Sequence, residues 1–470
     1  MKINCNKKNL TDAPKKITRL IFKEKSKTRL KEYESGKIEL NIELPAKKDM
    51  TLQRSIYTLR SALRTAKELG FSNLGISFGQ IKDAATLSKI DEERAGFLFA
   101  LNTLMADFSF DQRKSNKDSR EIKIETMTVF GDVTNEFKEG LKRGMIVGEE
   151  VNNTRFLCNT PGTELLPSAL AKAAKDAVKG VDIKVTVLNK KKIASMKMGG
   201  ILGVGRGSDD GPFLVLMKYE GAGKEQKPVA LIGKGITFDT GGINLKPSNA
   251  SLGMHMDMSG GGAVIHTIVA AARLKLKVNI IAVVPAVENV VAGGSYKPGD
   301  FLTTMSGKTV EVTHTDAEGR LVLADALTYV KRFKPKTVID VATLTGASVV
   351  SLGDKYSALF CENETLKDSL IEAGEKSGER VWRLPMGEEY GREMKGNFTD
   401  LVNAGKKAPH GGACTAAAFL KEFTDYTDSW AHIDIAPRME AGEHDCLAKG
   451  SVGAPVALLI EYLTSIQNKK

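Results

Sequence analysis

MSGKTVEVTHTDAEGRLVLADALTYV, residues Met305 to Val330, is the stretch from which the rest of the chain can be read. Its run Thr309-Val310-Glu311-Val312 alternates as a strand does. From Leu321 the period changes, with Leu323, Leu327 and Val330 recurring at helical spacing beside Ala324 and Ala326. Asp316, Glu318 and Arg320 fall at spacings of two across the Gly-containing turn between strand and helix. A helix N-terminus favours anions, so Arg320 there suits a bound anion as well as its acidic neighbours. An isolated Asp-x-Glu is most often a solvated loop, and the flanking sequence decides otherwise here.

The same alternation extends outward from this stretch. Apolar runs at Phe213 to Leu216, Val229 to Ile232, Ile280 to Val284 and Thr337 to Val341 are separated by helical stretches at 167–178, 260–275 and 320–333. This order predicts a largely parallel sheet covered by helices on both faces, with functional residues beyond the C-terminal ends of its strands. Upstream, Gly140 through Leu157 reads as one helix, broken by Pro161-Gly162. Before it, strand-like Ile38 to Ile42 and Leu74 to Ser77 mix with amphipathic helices around 52–69 and 84–106. The expected fold is α/β in two domains. A smaller N-terminal α/β domain spans 1–139, a connecting helix spans 140–158, and a larger C-terminal domain with a mixed, largely parallel central sheet spans 159–470.

Composition sets the outer limits. A chain of 470 residues with 42% hydrophobic and 27% charged residues is a globular protein, and no apolar run reaches the roughly 20 residues that span a bilayer. The N-terminus lacks the apolar core of a secretory signal, and five scattered cysteines without a C-x-x-C pair fit reduced thiols in a cytoplasm. Of the net charge of +11, the first fifty residues carry fourteen Lys/Arg against seven Asp/Glu. This is either a solvated basic face or a contact for nucleic acid, and no nucleic-acid motif accompanies it.

Other signals are weak singly. Gly233-Lys234-Gly235 follows an apolar strand, but no Ser or Thr follows Lys234, so the phosphate-loop pattern is absent; Gly203-Val-Gly205-Arg-Gly207 lacks dinucleotide spacing. His255-x-Asp257 and His432-x-Asp434 resemble metal pairs, yet a lone histidine near a core strand is usually structural. The acidic residues expected at the strand ends are Asp239, Asp257, Asp316 and Glu318. Brought together unpaired, four carboxylates would be forced to take up protons, and two divalent cations would neutralise them.

GKGITFDTGGINLKP (233–247) and THTDAEGRLVLADALTY (313–329) resemble the signatures of the cytosolic leucine aminopeptidases, the M17 dizinc exopeptidases. The likeness continues through NTPGTELLPSALA (159–171), DVATLTGA (340–347), TAAAFLKEF (415–423) and WAHIDIA (430–436), and covers the chain from about 150 onward. The resemblance implies a metal-dependent exopeptidase releasing leucine or other apolar N-terminal residues from short peptides by a two-metal-activated water. Asp239 and Glu318 would bridge two metals, with Lys234 and Asp257 completing one site and Asp316 the other. Lys246 would stabilise the developing oxyanion. Arg320, with Leu344 beside it, would hold a bicarbonate that acts as general base. Met254, Thr343, Gly346, Ala436 and Met439 would form the pocket for the first residue. The metals would be Zn²⁺ or Mn²⁺, with Mg²⁺ or Co²⁺ also accommodated, and the assembly a cytoplasmic homohexamer. The chain departs from the family in having His314 where Asn is usual and Thr240 where Ser is usual. A nucleic-acid-binding role for the basic N-terminal region stands as the alternative, alone or beside the peptidase.

Overall fold

The computed structural model describes residues 1–24, 27–116 and 120–467. Two compact units divide the chain: Met1–Asn152 with Ala441–Lys449, and Asn153–Glu440 with Gly450–Lys470.

In the first unit the strands are β1 (Lys2–Asn6), β2 (Thr18–Glu24), β3 (Arg29–Glu32), β4 (Ile38–Leu44), β5 (Asn73–Ser77) and β6 (Thr126–Phe130). They form one sheet in the order β1-β6-β5-β2-β4-β3, parallel except for β3 against β4. Its helices are α1 (Leu52–Glu68), α2 (Phe78–Leu87), α3 (Glu92–Asp107) and α4 (Asn135–Asn159). The single helix expected over 84–106 is thus two. Lys89 turns the chain through a positive φ of 57°, and Asp91 starts a new helix by accepting the Arg94 N–H at 2.7 Å. The apolar period runs through this break, so periodicity alone conceals it.

The helix expected from Gly140 to Leu157 extends one turn earlier, and the division between units falls inside it rather than on either side. Segment 441–449 joins the first unit, where the Asp445 carbonyl accepts from Arg60 Nη1 at 3.3 Å. Along α4, Gly140, Gly144 and Gly148 present one bare stripe to α3. A Cβ on Gly144 would lie 2.2 Å from the Phe97 carbonyl oxygen. Gly144→Ala, worth about 1 kcal/mol of stabilisation in an exposed helix, is expected here to destabilise by about 1–3 kcal/mol. Urea unfolding gives the sign directly.

The second unit continues with β7 (Lys184–Leu188), β8 (Phe213–Glu220), β9 (Val229–Gly233), β10 (Gly235–Asp239), β11 (Asn279–Asn289), β12 (Phe301–Thr303), β13 (Thr309–Glu311), β14 (Thr337–Ala342), β15 (Ser357–Cys361), β16 (Val381–Arg383), β17 (Leu401–Val402) and β18 (Trp430–Asp434). The helices are α5 (Pro167–Ala177), α6 (Lys190–Ser195), α7 (Gly199–Val204), α8 (Ser259–Arg273), α9 (Gly319–Val330), α10 (Gly346–Leu352), α11 (Glu364–Ser377), α12 (Glu388–Glu393), α13 (Gly412–Lys421) and α14 (Val456–Gln467). The main sheet runs β16-β15-β18-β14-β9-β11-β8-β7, with β10 also on β11, and β12-β13-β17 form a small separate sheet. The middle strands β18, β14, β9 and β11 are mutually parallel, while β8 runs against both β11 and β7, and β15 runs against β18 but with β16. Strand β8 carries the same unbroken apolar run as the parallel strands because it too is covered on both faces, so its direction is not written in its residues.

Helix α8 packs against β9, β11 and β14 with α14 behind it, while α7, α9 and α13 share the opposite core with Ala230, Ile232 and Val338. The approach of α8 is unusually close: a Cβ on Gly233 would lie 2.3 Å from the Gly260 carbonyl oxygen. That closeness fixes where β9 ends, and Lys234 is the next residue. Among the described residues no helix is long and apolar enough to cross a membrane.

Candidate metal centre

Four acidic residues and two lysines converge at one end of the parallel strands. Lys234 follows β9, Asp239 closes β10, and Glu318 caps α9. Asp257 comes not from a strand end, as alternation suggested, but from a 3-10 turn, Met254–Met256, placed against β10. Oxygens of Asp239, Asp316 and Glu318 all lie within 4.8 Å of one another. Lys234 Nζ reaches Glu318 Oε1 at 2.8 Å, Asp257 Oδ2 at 2.9 Å and the Thr343 carbonyl at 2.9 Å. Lys246 Nζ lies 2.8 Å from Asp239 Oδ2 and 2.5 Å from Asp316 Oδ1.

The electrostatics follow from crowding charge in a dry place. Burial, with Glu318 and Asp257 nearby, pushes the Asp239 carboxyl well above its usual range, and burial lifts Asp257 to about 7. Burial acts the same way on Glu318, but the Lys234 and Lys246 ammoniums reverse it and leave that carboxyl below its usual value. For Lys234, burial opposes the charge while Asp257, Glu318 and Asp239 more than offset it, holding the ammonium above its ordinary range. Both signs are therefore sustained only by each other.

Neutral amides fix the carboxylates in place. Asn289 Nδ2 donates to Asp239 Oδ1 at 2.8 Å and to the Thr315 carbonyl at 3.1 Å, joining two ligand-bearing loops. Thr315 Oγ1 donates to the Gly241 carbonyl at 2.6 Å, and the Thr315 N–H is held by Asn244 Oδ1 at 2.8 Å. Asn403, fully buried just after β17, accepts the Thr313 N–H and donates to the His314 carbonyl, at 2.8 and 2.7 Å. Its own carbonyl receives Arg320 Nη1 at 2.8 Å. Nothing in the sequence singles out Asn289 or Asn403, since each lies outside the motifs it serves, while Asn244 sits within 233–247 without a chemistry that marks it.

Arg320 is buried, and burial lowers its pKa to about 10 against the pull of Glu318 and Asp434. Its Nε is enclosed and has no hydrogen-bond partner. The Leu344 N–H, by contrast, is taken by Asp434 Oδ1 at 3.0 Å. Around the centre, Thr343 Oγ1 donates to Asp257 Oδ1 at 2.7 Å, and α10, which starts at Gly346, packs against the 3-10 turn Ala436–Arg438 that precedes Met439. A Cβ on Gly346 would meet nothing within 4 Å. The structure thus brings Thr343 onto Asp257, the C-terminal neighbour of the Met254–Met256 turn, and packs the helix that begins at Gly346 against the turn that begins at Ala436.

Of the two histidine pairs, His432-x-Asp434 is structural, with both side chains buried and bonded within the chain, while Asp257 of the other pair stands in the metal centre. His432 is buried and bonded through Nδ1 to Asp340 Oδ1 at 2.5 Å, and Asp434 accepts from Leu344 and Thr345. At the position where Asn is usual, His314 is exposed, and its Nδ1 accepts the Asp316 N–H at 3.2 Å. A ring nitrogen here does what an Asn side-chain oxygen does two residues ahead of the same N–H. His314→Asn is therefore expected to change kcat/KM by less than about twofold, whereas His314→Ala, which loses that bond, should lower it about three- to tenfold. Initial rates on leucine p-nitroanilide separate the two.

The cytosol aminopeptidase family, catalytic domain, matches residues 152–460. The chain is 42% identical to a probable cytosol aminopeptidase of Chlorobaculum tepidum over 413 residues, 86% of this chain and 82% of that one. It is 40% identical to another of Rickettsia bellii over 395 residues, 83% of this chain and 79% of that one. The bottromycin maturation enzyme BotP, solved in complex with Mn, superposes with a TM-score of 0.85 at 28% identity, over 96% of this chain and 99% of that one. The chain belongs to the cytosol aminopeptidase family and is a metal-dependent aminopeptidase.

Proposed function

We propose that the enzyme removes leucine and other apolar residues from the N-termini of short peptides, using two divalent cations held by Lys234, Asp239, Asp257, Asp316 and Glu318. The observation that carries this reading is the convergence of three carboxylates within 4.8 Å, a fourth beside them, and only two lysines to balance them. The donor set is hard oxygen with one amine, which accommodates Zn²⁺, Mn²⁺, Co²⁺ or Mg²⁺. Bound cations would supply Lewis acidity toward the scissile carbonyl and lower the pKa of the attacking water.

The chain's own residues do the rest. The Lys246 ammonium, raised above its ordinary range by Asp239 against the effect of burial, donates to the carbonyl oxygen as negative charge grows there. Arg320 offers its unpartnered Nε–H, and the planar edge around it, to a small carboxylate-like anion such as bicarbonate, which takes the proton from the attacking water. Open space at Gly346, with Met254, Thr343, Ala436 and Met439, receives an apolar first side chain. A cytoplasmic homohexamer is the assembly that goes with this reading.

The test compares leucine p-nitroanilide with its N-acetylated form, using chelator-stripped protein and protein reloaded with Mn²⁺ or Zn²⁺. Cleavage of the free-amine substrate alone, lost on stripping and restored by metal, is expected. Equal cleavage of the N-acetylated substrate would overturn the exopeptidase reading, and undiminished activity of fully stripped protein would overturn the metal role.

A further inference from the structure

The N-terminal unit contains a cavity of about 380 Å³, and none of the metal-centre residues lines it. It lies at the C-terminal ends of parallel strands, with Phe22 and Glu24 from β2, Leu44 from β4 and Ile76 from β5, beneath α1, α2 and α3. The topology reverses at this point. From β5 the chain passes to its neighbour β6 on one side, and from β2 it passes toward β3 and β4 on the other, although β5 and β2 are adjacent. Crevices at such a reversal are where open parallel sheets take up ligands.

The body of the cavity is apolar, with Ile56, Ile81, Leu98 and Phe99 all buried, and its volume falls among small-molecule pockets, roughly 300–1,000 Å³. Its exposed lining carries charge of both signs, from Lys47, Glu24 and Asp83. Glu24 Oε1 accepts the Lys47 main-chain N–H at 2.8 Å, so this carboxylate and the Lys47 side chain share one edge. Neither Lys47 nor Asp83 forms an ion pair among the described residues. An ammonium and a carboxylate without ion pairs, from Lys47 and Asp83, beside an apolar hollow match a ligand that bears both charges on an apolar body; an ion of either sign alone would leave one of them unanswered.

We propose that this cavity binds an apolar α-amino acid as its zwitterion, at a site in the N-terminal unit that is additional to the metal centre. The proposal does not depend on the peptidase reading. It is tested by ¹⁹F NMR of the full-length protein with 4-fluorophenylalanine, 4-fluorophenethylamine, which lacks the carboxylate, and 3-(4-fluorophenyl)propionate, which lacks the ammonium. Saturable binding of 4-fluorophenylalanine is expected, with each single-charge analogue about tenfold weaker, the worth of one charge-assisted contact. Ala84→Trp, which fills the cavity, should abolish that binding, and the exposed Lys47→Met should reduce it to the level of the amine. Leucine p-nitroanilide hydrolysis by both variants should match wild type, showing that they are folded. Because a free α-amine also suits the metal centre, each titration is repeated on chelator-stripped protein; binding there that survives both substitutions belongs to another site and overturns the proposal, as does the absence of saturable binding or equal binding of the three compounds.

Discussion

Lys246→Ala is expected to lower kcat on leucine p-nitroanilide by about 10²–10³, the range seen when one preorganised oxyanion donor is removed, while KM changes little. Lys246 Nζ is held between Asp239 and Asp316, at 2.8 and 2.5 Å, so its position is set before any substrate arrives. A group poised in this way stabilises charge that exists only in the transition state, and the loss should appear in kcat. Because Lys246 also neutralises two carboxylates, metal content must be measured alongside, by mass spectrometry of the native protein. Full metal occupancy with kcat reduced establishes the oxyanion role. A fall in activity that tracks a fall in bound metal would reassign Lys246 to charge balance. Lys246→Arg should restore the charge without restoring the rate, since a guanidinium is broader and differently directed than an ammonium.

Asp325→Ala is expected to lower the unfolding free energy by about 3–5 kcal/mol, because it leaves several buried donors without an acceptor. Asp325 sits inside α9 with no exposed surface and accepts the Ile201 N–H at 2.9 Å and the Met305 N–H at 2.7 Å, with Gly200 also bonded. It therefore ties the start of α7 and the loop before β13 to the helix whose first residues carry Arg320. Burial raises its carboxyl to about 7, above the unfolded value near 3.9. Between those two values the folded state holds a proton that the unfolded state releases. The contribution of this group is thus complete below about pH 4 and lost as pH rises through about 7. Asp325→Asn keeps an acceptor oxygen and should cost less than alanine, while removing that decline. Denaturant midpoints of wild type and Asp325→Asn across this range provide the check, and parallel curves would show that Asp325 does not titrate there.

The parts legible in the sequence are those with local causes. Periodicity located β9, β11, β14, α5, α8 and α9 because each is buried on a face that its own residues define. The long motifs contain Lys234, Lys246, Asp239, Asp316, Glu318 and Arg320, whereas Asp257 lies outside them. What stayed hidden depends on contacts distant in the chain. Asn289 and Asn403 reach the site from the end of β11 and the end of β17, and Asp325 reads as one polar residue in an apolar helix until Gly200 and Ile201 are folded against it. The reversed direction of β8 was hidden for a similar reason, since burial on both faces erases the alternation that distinguishes strands.

Strand β18 lies inside the main sheet, between β15 and β14, yet it is made from residues 430–434, near the C-terminal end of the described chain. Asp434 within it secures Leu344 and Thr345, next to the Thr343 that contacts Asp257. During synthesis, β14 and β15 must therefore wait beside a gap until residues 430–434 have left the ribosome. The geometry around Thr343 becomes fixed only at that stage. A peptidase built in this order stays inactive, by its own topology, until β18 is in place.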